Sequence, residues 1–318
     1  MPEAALADLR VLDLSRDIAG AYAAKLLADF GADVIKVEPP EGDPVRSLGP
    51  FPGDLPDPEK AGLFLFLNTN KRSLTLDIDT VSGQVVLRRL LAKTDILIED
   101  FAPGTMSARG LGYDNLSAAF PGLVYASVTP FGLSGPYSGY GGNALTALAQ
   151  GGLLYVTGDA DSGPQAGASE LALYQAGVQL WLGTLAALAH RDATGEGQQV
   201  DVSTAEAVAA GEEYSTALYA FAGAIVARAQ GPAFPSAPEA TPKDLLENER
   251  LVARGFFVEV EHPTAGSLRL PGPPFVMSET PGRSGRAPLR GEHNAEVLTA
   301  GAGYEVSDLT VLSDRGII

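Results

Sequence analysis

The 318-residue sequence contains no cysteine, which excludes disulfide bonds and any metal site built from cysteine ligands. Histidine is also scarce. The three histidines, His190, His262 and His293, lie far apart without the spacing of metal ligands, and each is best interpreted as a surface or capping residue. The sequence therefore predicts no metal site.

Basic residues are few relative to acidic ones. The chain has 22 Lys and Arg against 39 Asp and Glu, which gives a formal net charge of −17. This balance counts against nucleic acid as the main partner, because binding to phosphates requires a basic face. An anionic cofactor would need a local cluster of basic residues that stands out against the acidic surface.

Long hydrophobic runs are missing as well. The richest apolar segment, residues 178–189, is too short to span a bilayer, and the N-terminus lacks the basic start and apolar run of a signal peptide. With 45% hydrophobic and 19% charged residues, the composition is that of a globular protein with a sizeable core. We expect a cytoplasmic protein without a membrane partner.

The first two hundred residues alternate between strand and helix patterns. Apolar, β-rich runs occur at residues 9–15 and 32–38, on either side of a helical pattern at 20–30. This order indicates a βαβ unit with parallel strands. The alternation predicts a doubly wound, mostly parallel, Rossmann-like α/β domain over residues 1–205. Its further predicted elements are strands at 73–77, 95–99 and 123–128 and helices at 82–93 and 171–190.

The character of the sequence changes after residue 230. A Pro-rich stretch at 231–238 marks a boundary. Residues 206–240 are therefore predicted to be a linker, and residues 241–318 a C-terminal α+β segment that returns to the large domain. The predicted elements of this segment are a helix at 242–254, strands at 256–261 and 267–270, and short helices near 292–299 and 307–315.

Generic motifs carry little information here. No GxGxxG follows the first strand, so the dinucleotide-binding fingerprint is missing. The Gly-rich segment at 132–137 follows a strand without a P-loop lysine and is interpreted as a turn. Ser203 lacks the residues of a nucleophile elbow, so its Val-Asp-Val-Ser context predicts a strand.

A series of segments in the right order nevertheless resembles one family, the family III CoA-transferases, which include formyl-CoA transferase, carnitine CoA-transferase and α-methylacyl-CoA racemase. The resemblance covers nearly the whole chain apart from about residues 206–235. The matching segments are residues 9–15 with Gly20 and Tyr22, then 27–40, 42–46, 68–77, 101–106, 110–113, 131–136, 194–198, 244–248, 255–257, 262–263, 271–275 and 291–293.

The resemblance implies a mechanism that this chain departs from. In the family, an Asp carboxylate attacks the acyl-CoA thioester, and the reaction proceeds through a mixed anhydride and an enzyme-bound CoA thioester. That Asp lies four residues before a glycine that matches Gly177, so Leu173 occupies the nucleophile position. Leucine cannot attack a thioester.

Glu170 is a weak substitute for this nucleophile. It precedes Leu173 by one helical turn and lies on nearly the same face if the helix extends that far. The alternative, which we favour, is an exposed glutamate at a helix start that is stabilised by the helix dipole.

Other family features are missing too. The histidine base of racemase-like members lies in a Gly-His-Asp context that matches residues 141–143, which read Gly-Gly-Asn here. Two family arginines that pair with CoA phosphates are replaced by Ala102 and Ala108, next to Arg109. The smaller family domain, which supplies a Gly-rich flap over the thioester, is predicted to be largely missing and replaced by the linker.

CoA or acyl-CoA is the cofactor that the resemblance implies, with no metal. The predicted contacts are a set of cations together with Phe101, which would stack on adenine. Each of these residues has an alternative interpretation as a solvated charge or a core aromatic residue. The predicted CoA-binding residues are Lys36, Arg46, Lys71, Arg72, Asp100, Phe101 and Arg109.

We therefore predict a non-catalytic or accessory subunit of a heteromeric family III acyl-CoA:carboxylate CoA-transferase. Its partner would be a full-length homologue that brings the Asp and the flap, in the interlocked arrangement of the family. Two alternatives stay open: an active homodimeric transferase or racemase that uses Glu170 or another group, and an acyl-CoA-binding or structural pseudoenzyme.

Overall fold

The computed structural model describes residues 4–158, 163–167, 170–226, 228 and 241–318. Within these residues, the strands are β1 (Arg10–Asp13), β2 (Asp33–Glu38), β3 (Arg72–Thr75), β4 (Ile96–Glu99), β5 (Val124–Thr129), β6 (Gln199–Ser203), β7 (Phe257–His262) and β8 (Gly266–Pro271). The helices of the first half are α1 (Ile18–Asp29), α2 (Gly62–Leu67), α3 (Val81–Leu91), α4 (Thr105–Ala108), α5 (Tyr113–Ser117), α6 (Ala144–Gln150) and α7 (Leu153–Val156). Those that follow are α8 (Leu171–Thr194), α9 (Thr204–Ala209), α10 (Glu213–Ala222), α11 (Pro242–Glu247), α12 (Glu249–Ala253), α13 (Asn294–Glu296) and α14 (Val306–Asp314), with a π-helical turn at Val297–Gly301.

The first six strands form one parallel sheet in the order β3-β2-β1-β4-β5-β6. Helices cover both faces, and two large apolar clusters lie between the helices and the sheet. The predicted doubly wound α/β fold is therefore confirmed. The strand order reverses between β1 and β4, and in such sheets ligands bind beyond the carboxyl ends of the strands at this switch point.

Close packing of α1 and α8 sets the position of the long helix. The α1 face consists of small residues such as Ala19 and Ala23, both buried. A Cβ at Gly177 would lie 2.7 Å from the carbonyl oxygen of Ala19, so only glycine allows α8 to approach this closely. This contact holds the first turn of α8 beside the loop that follows β1.

Helix α8 corrects one expectation about hydrophobic length. Among the described residues, it is long and apolar enough to cross a membrane by length and composition. The apolar run at 178–189 is only part of this helix, which has 24 residues. One face of the helix is buried in the fold, where Ala176, Gly177 and Leu180 pack beside α1 and the sheet, which accounts for its apolar composition.

The C-terminal residues pack against the β3 edge of the sheet. The backbone N–H of His293 donates to the carbonyl oxygen of Ser73 (3.0 Å), and Asn294 Oδ1 accepts from the N–H of Thr75 (2.9 Å). Asp77 N–H donates to the carbonyl of Ile317 (2.8 Å), whose side chain enters the core. Strands β7 and β8 form an antiparallel hairpin.

Two predicted elements differ from the structure. The helix expected at 242–254 is split into α11 and α12 at Asn248, which has a non-helical ψ of 113° and whose side chain caps α12. Part of the predicted linker 206–240 is helical, because α9 continues to Ala209 and α10 follows. The Pro-rich stretch at 231–238 lies outside the described residues.

Candidate functional site

A cavity of about 320 Å³ lies at the switch point, beyond the carboxyl ends of β1, β4 and β5. We name it the switch cavity. Thr129, at the end of β5, lines it, and the buried Thr129 hydroxyl has no hydrogen-bond partner among the described residues. The lining residues are Asp17, Ala19, Asp100, Phe101, Ala102, Pro103, Val128, Thr129, Pro130, residues 138–143, Leu173 and Thr204.

A wider recess of about 1010 Å³ adjoins the switch cavity, and we name it the outer depression. Asp17, Asn143 and Leu173 line both spaces, so the two spaces meet at these residues. The remaining lining residues are Ile18, Leu48, Gly49, Pro50, Gly62, Leu63, Phe66, Ala144, Leu145, Ala166 and Glu170.

Leu173, which the resemblance predicts to occupy the nucleophile position, lies at this junction. It is half-buried in the first turn of α8 and packs against three apolar clusters. Its side chain therefore presents hydrocarbon where the two spaces meet. Glu170 is exposed at the start of α8, makes no capping hydrogen bond and lines the outer depression but not the switch cavity.

Two aspartates also border these spaces. Both carboxylate oxygens of Asp100 accept backbone N–H groups, from Arg16 (2.8 Å) and Asp17 (2.9 Å). Burial raises the pKa of Asp100 to about 8, although Lys36 opposes the shift. The Asp17 carboxylate caps α1 through Ile18 N–H (2.7 Å). Asp17 was not predicted as a site residue, although its place directly after the first strand is a usable signal.

Lys36 and Lys71 lie in a buried ionic network rather than on a cavity wall. Lys36 Nζ pairs with Asp43 (2.7 Å) and also donates to the Ser15 carbonyl. Burial alone would lower the pKa of Lys36, but Asp13 and Asp43 hold that pKa above its usual value. Lys71 Nζ donates to Asp13 (2.8 Å), and burial lowers its pKa to about 8 against the attraction of Asp13.

Arg46 is also satisfied within the protein. It makes a two-point ion pair with the buried Glu38 (2.6 and 2.9 Å), a further pair with Glu59 (2.9 Å) and a stacking contact with Phe64 (3.6 Å to the ring centre). Its guanidinium is 2% exposed. Together with the two buried lysines, Arg46 holds the β1–β2–β3 side of the sheet in place, and none of the three lines the switch cavity.

Arg72 lies at the opposite edge of the sheet. It begins β3, pairs with Asp33 at the start of β2 (2.7 Å) and reaches Glu296 (2.8 Å). The amino ends of these parallel strands face away from the switch point. The structure therefore does not bring Arg72 together with the other predicted contacts.

Two guanidinium groups approach the ring of Phe101 beside the switch cavity. Arg16 and Arg109 approach its ring centre at 4.8 and 5.3 Å. Arg109 pairs with the exposed Asp79 (2.6 Å) but keeps one buried N–H group without a partner, and Arg16 makes no ion pair within the part of the chain that the structure describes. Arg16 was not predicted. We name these three residues the arginine–phenylalanine stack.

Ala102, Ala108 and Gly142 are the residues that the resemblance aligns with other functional groups of the family. Ala102 lines the switch cavity and Ala108 ends α4, both exposed. A side chain at Gly142, the position of the racemase histidine, would begin 2.6 Å from Pro130 Cβ, so the local backbone leaves it no room. Asn143 Oδ1 instead accepts from Thr146 N–H and caps α6.

Within 4–158, 163–167, 170–226, 228 and 241–318, no three His, Asp or Glu side chains converge as metal ligands would. The acidic groups near the switch cavity, Asp17 and Asp100, are used by backbone N–H donors instead.

Comparisons with known proteins agree with the fold and the motifs. The chain is 28% identical to formyl-CoA:oxalate CoA-transferase of Streptomyces coelicolor over the full length of both, in an alignment of 417 positions against the 318 residues here. It is 37% identical to a subunit of succinyl-CoA:(R)-benzylsuccinate CoA-transferase of Thauera aromatica, over 68% of this chain and 52% of that one.

Solved structures and family patterns give the same assignment. A CaiB/BaiF family protein from Brucella suis superposes with a TM-score of 0.85 at 25% identity, over 94% of this chain and 100% of that chain. The pattern of CoA-transferase family III matches residues 6–234 and 222–294. The chain belongs to CoA-transferase family III, as its motifs predict.

Proposed function

We propose that this chain is the non-catalytic or accessory subunit of a heteromeric acyl-CoA:carboxylate CoA-transferase. One observation carries the proposal: Leu173 lies where the two spaces of the site meet. Family chemistry requires a carboxylate at this position to form the acyl anhydride, and a leucine side chain has no atom that can do so. In this proposal the chain keeps the family fold but lacks the nucleophile.

CoA would bind from the arginine–phenylalanine stack toward Leu173. The Phe101 ring suits stacking with adenine, and the two guanidinium groups near this ring suit the neighbouring phosphates. The unpaired Arg16 and the free N–H of Arg109 supply donors without first breaking a buried ion pair. The pantetheine arm would then follow the switch cavity, past the Thr129 hydroxyl, so that the thioester lies beside Leu173.

The partner would be a full-length family III homologue that contributes the Asp and the flap. The similarity to one subunit of a named multi-subunit transferase supports this arrangement. We also propose a domain division into residues 1–205, a shortened 206–240 and a C-terminal 241–318; the alignment of 417 positions with the Streptomyces relative shows that gaps are needed but does not locate them. The exposed aromatic residues of α10, Tyr214, Tyr219 and Phe221, suit a subunit interface. We expect the complex in the cytoplasm.

Co-purification tests the subunit proposal directly. The chain is prepared alone and together with a full-length family III homologue from the same organism, and transfer of labelled CoA between an acyl-CoA and a carboxylate is measured. We expect no transfer by the lone chain and transfer by the pair. Full activity of the lone chain would refute the proposal, and so would failure of the two chains to associate.

A second candidate is an active homodimeric transferase or racemase, favoured by the two carboxylates, Asp17 and Glu170, that share the outer depression with Leu173. Asp17→Asn and Glu170→Gln, each against the exposed control Asp192→Asn, test it by loss of transfer in the lone chain. A third candidate is a pseudoenzyme that binds acyl-CoA without turnover. Calorimetry with CoA separates it from a purely structural chain.

A further inference from the structure

The outer depression combines an apolar wall with acidic groups. Leu48, Leu63, Phe66 and Leu145 contribute hydrocarbon to the wall. Among the described residues that line it, Asp17 and Glu170 are ionisable, and no Lys, Arg or His is present. The local charge is therefore negative where a ligand would enter.

A nearby lysine does not offset this charge. Lys25 Nζ lies 5.2 Å from the ring centre of Phe66. However, Lys25 is buried and pairs with Asp29, four residues along the same helix. Because the Asp29 carboxylate already neutralises the charge of Lys25, this lysine does not balance the acidic groups of the outer depression.

The acyl group of a bound thioester would extend into this depression. This step rests on the proposed function, in which CoA binds along the switch cavity and its sulfur lies beside Leu173. The outer depression continues from Leu173, Asp17 and Asn143, and no residue of the arginine–phenylalanine stack lines it. Its volume of about 1010 Å³ leaves room for an acyl chain of several carbons.

We infer that the acyl group selected by this chain is uncharged and apolar and does not carry a second carboxylate. A terminal carboxylate would approach Asp17 and Glu170, and no cation among the described lining residues would balance its charge. Like charges that share one recess repel each other. An alkyl or aryl end would instead cover the exposed faces of Leu48, Leu63 and Leu145, and this burial is favourable.

Butyryl-CoA and succinyl-CoA make a matched pair of probes, since both carry four acyl carbons and differ in a terminal methyl or carboxylate. Titration calorimetry on the full chain, with free CoA as reference, measures their affinities. We expect butyryl-CoA to bind about tenfold or more tightly than succinyl-CoA. Equal affinity, or a preference for succinyl-CoA, would overturn the inference while CoA binding itself stands. If free CoA and both thioesters fail to bind, the proposed CoA site is wrong and the inference fails with it.

Leu145→Arg tests the location of the acyl group. Leu145 is 52% exposed on α6, so the substitution leaves the core unchanged. We expect it to improve succinyl-CoA binding and to reduce or reverse the preference. Val85→Arg, at a 44% exposed site on α3 outside both spaces, is the matched control and should leave the ratio unchanged. An unaltered ratio in Leu145→Arg contradicts the assigned position of the acyl group.

Discussion

The two sides of the sheet's carboxyl edge differ in whether their charged side chains have ion-pair partners. On the β1–β2–β3 side, Lys36, Lys71 and Arg46 are buried and each faces a carboxylate at 2.6–2.9 Å. On the β1–β4–β5 side, Arg16 has no ion pair among the described residues and Asp17 is exposed beside a cavity. Buried charges that pair with each other have a structural role, whereas a charged side chain without an ion-pair partner can bind a ligand. We therefore interpret the first side as structural framework and propose the second side as the ligand site.

The largest expected effect is the loss of Asp13, the carboxylate that Lys71 contacts at 2.8 Å and Lys36 at 3.9 Å. Asp13→Ala leaves a buried ammonium group without its counter-charge, which costs about 3–5 kcal/mol of unfolding free energy. Urea denaturation measures the loss. The control Asp192→Ala removes a 71% exposed carboxylate that pairs with Arg191, and we expect less than about 1 kcal/mol there. Equal losses in the two variants would show that the ionic network is not framework.

A second prediction concerns pH, because the two sides should respond with opposite signs. The pKa of Asp100 rises from 3.8 to about 8 on folding, so the native state holds the extra proton, and stability falls as pH rises from about 4 to 8. The pKa of Lys71 falls from 10.5 to about 8, so the native state loses its proton first, and stability rises from pH 8 to about 10. Each slope is at most about 1.4 kcal/mol per pH unit.

Urea midpoints across this range test the prediction. Asp100→Asn should flatten the acid-side slope and leave the alkaline slope intact, because an amide does not titrate. Lys71→Met should do the reverse. If Asp100→Asn leaves the slope between pH 4 and 8 unchanged, Asp100 does not hold a proton in the folded protein.

The difference between the two sides also explains what the sequence could and could not predict. The strands were predictable because buried parallel strands appear as continuous apolar runs: β1, β2 and β4 lie within the predicted segments, and β5 extends one residue beyond its segment. The roles of individual cations were not. Lys71 meets its partner Asp13 across 58 residues of sequence, and no local pattern distinguishes it from a cation that faces a ligand.

Two further features could not be predicted from the sequence because they depend on how the elements pack in three dimensions. The residue spacing that aligns Gly177 with the family indicated Leu173, but only the contact of α8 with α1 explains why that glycine is required. Arg16 lies next to the predicted first strand. Its role as a site candidate depends on the contact with Phe101, which follows β4. Such contacts depend on strand order, which apolar periodicity does not encode.

The smallest expected effect is on ligand binding, and it separates the two kinds of arginine. Arg16→Ala removes an unpaired guanidinium from the arginine–phenylalanine stack, so we expect CoA affinity to fall about fivefold to tenfold, equivalent to about 1 kcal/mol, with little change in stability. Arg72→Ala removes a cation that is paired at the opposite edge of the sheet, so CoA affinity should be unchanged. Calorimetry at low and high salt makes the comparison sharper. A contact to phosphate weakens with ionic strength, so Arg16→Ala should reduce the salt dependence of CoA binding. Loss of the structural ion pair in Arg72→Ala should leave that salt dependence unchanged. Equal CoA affinities for the two variants would remove Arg16 from the site and leave Arg109 as the cation beside Phe101.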